Sequence, residues 1–207
     1  MSQTTVKCNI KTLKIFDEIK KEAKRSTGRF VDVGINSRDG AKQYKKPEGS
    51  KKDPPTVAQV AQYQEYGWTQ TVTTAQSRYF WNNWGIKLKA GTEISMPQRR
   101  FLRGTLEAEA NNWVSVMGDA IKRHGLQDLK SALVEVGQIA QFDIQSTIAD
   151  GKTSKEEFAR RSKLTMAIYA AQAADHKTDG TGGISGDKPL FKTGVLMNSI
   201  SYNLREK

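Results

Sequence analysis

Two apolar stripes separated by a single stop constrain this chain more than any other feature. Leu106, Ala110, Trp113, Val114, Met117, Ala120 and Ile121 recur at three- and four-residue spacing, and His124-Gly125 interrupts them. Leu126, Leu129, Leu133, Val136, Ala140, Ile144 and Ile148 then resume the same spacing until Asp150-Gly151. Such spacing predicts two long amphipathic helices with one glycine between them, short enough to turn back as a helical hairpin. Everything else must pack around that pair.

Period-two patterns occur on either side. Val31, Val33 and Ile35 alternate with Asp32 and Gly34 in "FVDVGI", which the turn "NSRDG" closes. Ile86 and Leu88 alternate with two lysines, "AGT" supplies a turn, and Ile94 and Met96 alternate again, predicting a two-stranded ribbon. Ile200, Tyr202 and Leu204 predict a final strand. The fold class expected is therefore α+β, a small mixed β-sheet packed against the long helices, in a single domain over residues 1–207.

Shorter helices are legible from their caps. Thr56 with Gln59 and Thr73 with Gln76 have capping-box spacing, Gly67 follows as a left-handed stop and Gly85 as a closing residue, predicting a helix over 57–66 and a second short helix after Thr73. The second carries Tyr79, Phe80, Trp81 and Trp84, an aromatic group whose spacing favours core packing over base stacking. Thr153 with Glu156 predicts a further helix carrying Phe158, Leu164, Ala167, Ile168 and Ala171. Leu13, Phe16, Ile19 and Ala23 predict an amphipathic helix over 10–26. Two segments are expected to be loops. Residues 41–55 hold five lysines and three prolines, and residues 175–187, "DHKTDGTGGISGD", are rich in glycine.

The formal charge is +11, and residues 1–55 contribute fourteen Lys or Arg against seven Asp or Glu, or +7. That field suits nucleic acid, anionic lipid or an acidic protein. The longest apolar run, Met166 to Ala171, falls far short of the roughly 20 residues that cross a bilayer, and "MSQTTVKCNIKTLK" has no apolar signal segment. No membrane role and synthesis in the cytoplasm are the expectations. Cys8, the single cysteine, offers neither a disulfide nor a metal cluster.

Catalytic chemistry finds no anchor in the sequence. His124 sits at a predicted helix end, where its positive character complements the carbonyl terminus. His176 lies in the glycine-rich loop with Asp175, Asp179 and Asp187, more the composition of a solvated loop than of a metal cage. "DGTGGISGDK" lacks the strand, the G-K-[ST] end and the helix of a phosphate loop. Glu107 and Glu109 point to different faces of one helix. No catalytic, cofactor-binding or metal-binding residue is assigned, and no cofactor is expected.

Most unusual is "ISMPQRRFLRGTLEAEANNW", where Arg99, Arg100 and Arg103 crowd a junction entering the first long helix. Pro97 pre-sets an extended chain, Phe101 and Leu102 can anchor it, and the arginines either project as interface residues or pair with Glu107 and Glu109.

Taken in order, several short motifs resemble the neck or tail-completion proteins of tailed bacteriophages, relatives of minor tail protein Z and other virion morphogenesis proteins. "VDVG" is similar to that family's V-x-V-G strand, and "VAQYQEYG" to its V-A-x-x-x-E-x-G helix. "VTTAQSRYFWNNWGIKLKAGTEISMPQRRFLRGTL" resembles V-T-x-x-x-R-x-F-x-x-x-G-I-x-L-K-x-G-T leading into I-P-x-R-P-F-L-R. "KPLFKTGVLMNSI" resembles K-P-L-x-x-T-G-x-L-x-x-S-I and is the most specific match. These segments cover residues 31–34, 60–110 and 188–204, about a third of the chain. Arg100 and Gly104 stand where the family usually has proline, and residues 41–55 and 153–187 are individual to this chain.

The resemblance implies a structural virion protein without enzymatic activity. It would form a six-fold or twelve-fold ring in the phage neck, between the head connector and the tail-terminator or tail-tube proteins, with DNA passing through the channel without sequence-specific contact. Location would be the virion, and the host cytoplasm during assembly. Candidate interface residues are Arg99, Arg100, Phe101, Arg103, Thr193, Gly194 and Leu196. Composition alone leaves open a nucleic-acid-binding accessory protein acting through the basic N-terminal region, and more distantly a hydrolase using His176.

Overall fold

The two apolar stripes fold as long helices in the computed structural model, which describes residues 28–44, 53–174, 190 and 194–206. The expected helix over 10–26, most of the basic loop, the glycine-rich loop, Cys8, His176 and Thr193 lie outside the described residues.

In chain order the elements are β1 (Arg29–Ile35), α1 (Ser37–Gly40), α2 (Val57–Tyr66), β2 (Trp68–Thr71), α3 (Thr74–Trp84), β3 (Glu93–Met96), α4 (Arg103–His124), α5 (Leu129–Asp150), α6 (Lys163–Ala174), α7 (Val195–Asn198) and β4 (Ile200–Glu206). The class is α+β, as the alternating periods imply. The described chain divides into two compact units, one holding 28–33, 111–140 and 202–206, the other 34–110 and 141–201.

In the first unit the hairpin turns at Gly125, a 3-10 turn spans Leu126–Asp128, and Asp128 caps α5 by accepting from Ser131 N at 3.2 Å. Arg123 and His124, at the end of α4, both reach Glu135 on α5. Gly137 of α5 lies against Val31 of β1 and Tyr202 of β4, where a Cβ would stand 2.7 and 3.0 Å from their side chains. Glycine is the side chain that lets helix and strands approach this closely. Arg29 pairs with Glu206 at 3.1 Å and Asp32 with Arg205 at 2.7 Å across the two strands.

In the second unit the core gathers Val57, Val72, Phe101, Ile148 and Ile200, all fully buried, with Phe158 and Leu196 nearly so. The buried Thr105 hydroxyl on α4 lies 2.6 Å from Phe101 O and 2.9 Å from Thr147 Oγ1 on α5, satisfying polar groups inside this core. The expected turn at "NSRDG" tightens into α1, because the Asn36 side chain accepts from Asp39 N at 2.8 Å. Both ends of the basic loop are tied. Gln43 bridges Thr56, and Tyr44 N donates to Pro55 O at 3.2 Å.

Three expectations need correction. Among the described residues the strands form two separate two-stranded sheets, β1 with β4 and β2 with β3, not one mixed sheet. Residues 86–89 are not a strand; β3 instead pairs antiparallel with β2, Trp68 opposite Met96 and Thr71 opposite Glu93. The alternation in "IKLK" is the stronger signal, but its chain leaves α3 with Ile86 N bonded to Phe80 O, whereas the polar "WTQT" follows α2 after Gly67 alone and runs beside β3. Thr153 does not start a helix. Its hydroxyl accepts from Lys155 N and Glu156 N, and Phe158 N returns to Gly151 O, so the segment closes as a tight loop. α6 begins later, where Ser162 Oγ accepts from Thr165 N.

Candidate functional site

The arginine junction is built by α2. Its last turn presents Gln64 and Glu65, and its capping box forms as expected, with Thr56 Oγ1 accepting from Gln59 N and Gln59 Oε1 from Thr56 N. Gly67 ends the helix at φ 69° and ψ 176°, outside the left-handed helical region expected of it. The reason is proximity. A Cβ there would lie 2.7 Å from Met96 O and 2.9 Å from Gln98 N, so the chain needs glycine to pass the end of β3.

Arg99 is buried, 4% exposed. Its backbone N–H donates to Gln64 O at 2.7 Å, and its guanidinium donates to Gln64 Oε1 at 2.9 Å, Ala159 O at 2.9 Å and Arg160 O at 3.2 Å. These bonds to neutral oxygens join α2 to the segment before α6. Burial pushes the Arg99 guanidinium below its usual range, and the Arg161 charge adds to this against an opposing contribution from Tyr169. Phe101, fully buried, anchors the same turn in the core.

Glu65 organises the start of α4. Its buried carboxylate accepts from Leu102 N at 3.0 Å through Oε2, and from Arg103 N and Arg103 Nε, each at 3.0 Å, through Oε1. Arg103 also donates to Glu65 O at 3.1 Å, and its guanidinium stacks 4.5 Å over the Tyr66 ring. A carboxylate at a helix N-terminus satisfies free N–H groups and faces the positive end of the helix dipole. Arg100, partly exposed, pairs with Glu107 at 3.1 Å and Glu156 at 3.4 Å; the Glu156 hydrogen bond is the main cause holding its pKa above the usual value. Glu109 instead accepts from Ser154 Oγ at 2.9 Å.

The structure thus brings Arg99, Arg100, Phe101 and Arg103 together, but as a junction tied inward. Arg99 and Phe101 have no surface to offer a partner, and neither does Leu196, which is 5% exposed. Gly194, half-buried, takes a left-handed conformation just before α7. Of the proposed contact residues, Arg100 and Arg103 keep partly exposed side chains, 29% and 43%. Glu65 was not singled out in the sequence, although it is the Glu of "VAQYQEYG"; a carboxylate two residues before the glycine was the available signal.

The aromatic group on α3 departs from expectation. No residue of α3 is buried, Tyr79 is 52% and Trp81 50% exposed, and the rings pack on one another, Trp84 lying 5.2 Å from Tyr79 and 5.3 Å from Phe80. The capping box at Thr73 forms as predicted, and Gly85 closes the helix, in the left-handed conformation. Among the described residues no group of His, Cys, Asp or Glu could hold a metal ion, and no helix is long and apolar enough to cross a membrane. No protein family, curated protein or solved structure matches the chain.

Proposed function

We propose that this chain is a structural subunit of the neck of a tailed bacteriophage, acting as a ring that completes the tail and joins it to the head connector around a channel for DNA. One observation carries the reading: residues from separate motifs of the resemblance meet. Gln64, Glu65 and Gly67 of "VAQYQEYG" contact Met96, Gln98, Arg99, Leu102 and Arg103 of the arginine stretch. Residues that hold each other in place explain why such motifs would occur together.

A closed ring needs two unlike patches on each copy. Exposed apolar side chains supply material for them in both units, Val114 at 73% in the first and Phe142 at 67%, Leu106 at 53% and Trp81 at 50% in the second. The partners are other copies of the chain, in six-fold or twelve-fold rings, and the head-connector and tail-terminator or tail-tube proteins above and below.

Native mass spectrometry of the purified chain, together with immunolabelling of virions, tests the proposal. Closed oligomers and label at the head–tail junction are the expected results. Particles lacking the chain would overturn it.

A further inference from the structure

A groove of about 460 Å³ lies beside α3, lined by Thr74, Ser77, Arg78, Trp81, Lys87 and Lys89. Arg78, Lys87 and Lys89 are all exposed, and among the described residues none of the three has an ion-pair partner. Lys87 Nζ sits 5.2 Å from the Trp81 ring centroid, and Trp81 remains half exposed. Thr74 and Ser77 add hydroxyls in the first turns of a helix whose positive end is there. Three unpaired cations, two hydroxyls and an exposed indole in one groove are complementary to a chain that alternates phosphate and flat ring.

We propose that this groove binds the phosphodiester backbone of a nucleic acid, with Arg78, Lys87 and Lys89 on the phosphates and Trp81 against a base where the strand is single. The lysines of residues 42–52 are separate in sequence from the aromatic group at 79–84; here α3 and the segment after it interleave cations with aromatic surface. The inference does not depend on the ring, since mass and location test the one and salt dependence the other. An acidic peptide is disfavoured because it would leave the indole without a planar partner.

The test is fluorescence anisotropy of labelled single-stranded and duplex oligonucleotides from 50 to 200 mM salt. It compares the full chain, the triple variant Arg78→Gln/Lys87→Gln/Lys89→Gln, and a charge-matched control, Lys122→Gln/Lys130→Gln/Lys152→Gln, whose exposed lysines lie outside the groove. Three lost phosphate contacts lower the log–log salt slope by about 2 on single strands and nearly 3 on duplex. Over this fourfold change in salt, the parent Kd for single strands should rise about 16-fold more than that of the triple variant.

Trp81→Ala should weaken single-strand binding about fivefold or more while sparing duplex. Equal slopes in parent and triple variant, or an equal loss in the control, would overturn the proposal. So would binding of labelled polyglutamate in place of both oligonucleotides. An effect of Trp81→Ala on both forms alike would overturn the stacking role.

Discussion

Replacing Glu65 with glutamine removes one charge and changes almost nothing in size, which isolates the electrostatic part of the α4 cap. In the parent, two carboxylate oxygens receive Leu102 N, Arg103 N and Arg103 Nε, each at 3.0 Å. Glutamine keeps one acceptor and turns an amide N–H₂ toward a backbone donor. Loss of capping contributes about 1 kcal/mol. Loss of negative charge facing the helix N-terminus contributes up to about 1 kcal/mol more. The ion pair to Arg103 adds less than about 1 kcal/mol, because that side chain is 43% exposed and water screens it. The sum is a loss of about 1–3 kcal/mol, a shift in urea midpoint of roughly 0.5–1 M at an m-value near the upper part of the usual range.

Urea titrations followed by far-UV circular dichroism measure that shift, and amide hydrogen exchange localises it to Leu102, Arg103 and the first turn of α4. A cycle with Arg103→Ala should return a coupling of about 0.5–1 kcal/mol. A loss below about 0.5 kcal/mol, or unchanged exchange at Leu102 and Arg103, would refute the cap reasoning.

Further outcomes follow from the same geometry. Gly137→Ala should destabilise by about 1–3 kcal/mol, since its methyl would press on Val31 and Tyr202. Gly118→Ala, in open space on α4, should stabilise by about 0.5–1 kcal/mol; thermal melts giving the same sign for both would refute the packing account. Arg99→Met should cost about 2–4 kcal/mol by leaving Ala159 O and Arg160 O without their donor, with Arg99→Lys intermediate because one ammonium cannot reproduce the fork. Hydrogen bonding from Arg123, more than from His124, holds Glu135 below its ordinary value of 4.5. A depressed carboxylate binds fewer protons in the folded state, so its stabilisation is present above pH 4.5 and lost as pH falls through the lowered value. Glu135→Gln should therefore lower the urea midpoint at pH 6 and have a smaller effect at pH 3; an equal effect at both would count against the pairing.

Legibility in the sequence followed the range of the interactions involved. Caps and periodicity are local, and they gave α2, α3, α4 and α5 within a few residues, with Gly85 closing α3. Strand pairing is not local. "WTQT" carries no alternation that points to "EISM", and their register arises because α3 folds out between them, with Val72 N bonded to Thr92 O and Gly91 N to Val72 O. Thr153 carried a helix-start spacing and made the first hydroxyl bond of such a cap, yet the chain turned back on Gly151 because Phe158 was buried. Gly137 gave no sign of its role, since only the strands across from it supply the atoms it avoids.

The arginine junction shows why residue type alone misjudges charge. Three cations within five residues left open an outward-facing patch or pairing with Glu107 and Glu109, and side chains of this length choose between water and whatever acceptors the fold brings near. Gln64 and Glu65, thirty-five or more positions earlier, arrive on the last turn of α2 and claim Arg99 and Arg103; Glu107 and Glu156 claim Arg100. Meanwhile Arg78, Lys87 and Lys89, which lie in no conspicuous run, remain without ion-pair partners among the described residues. The net charge a partner meets is the remainder after internal pairing, so the basic face follows acceptor supply more than the density of Lys and Arg along the chain. A mutational scan that neutralised cations one at a time should accordingly divide in two: Arg99 and Arg103 moving the unfolding midpoint, Arg78, Lys87 and Lys89 moving the salt dependence of binding.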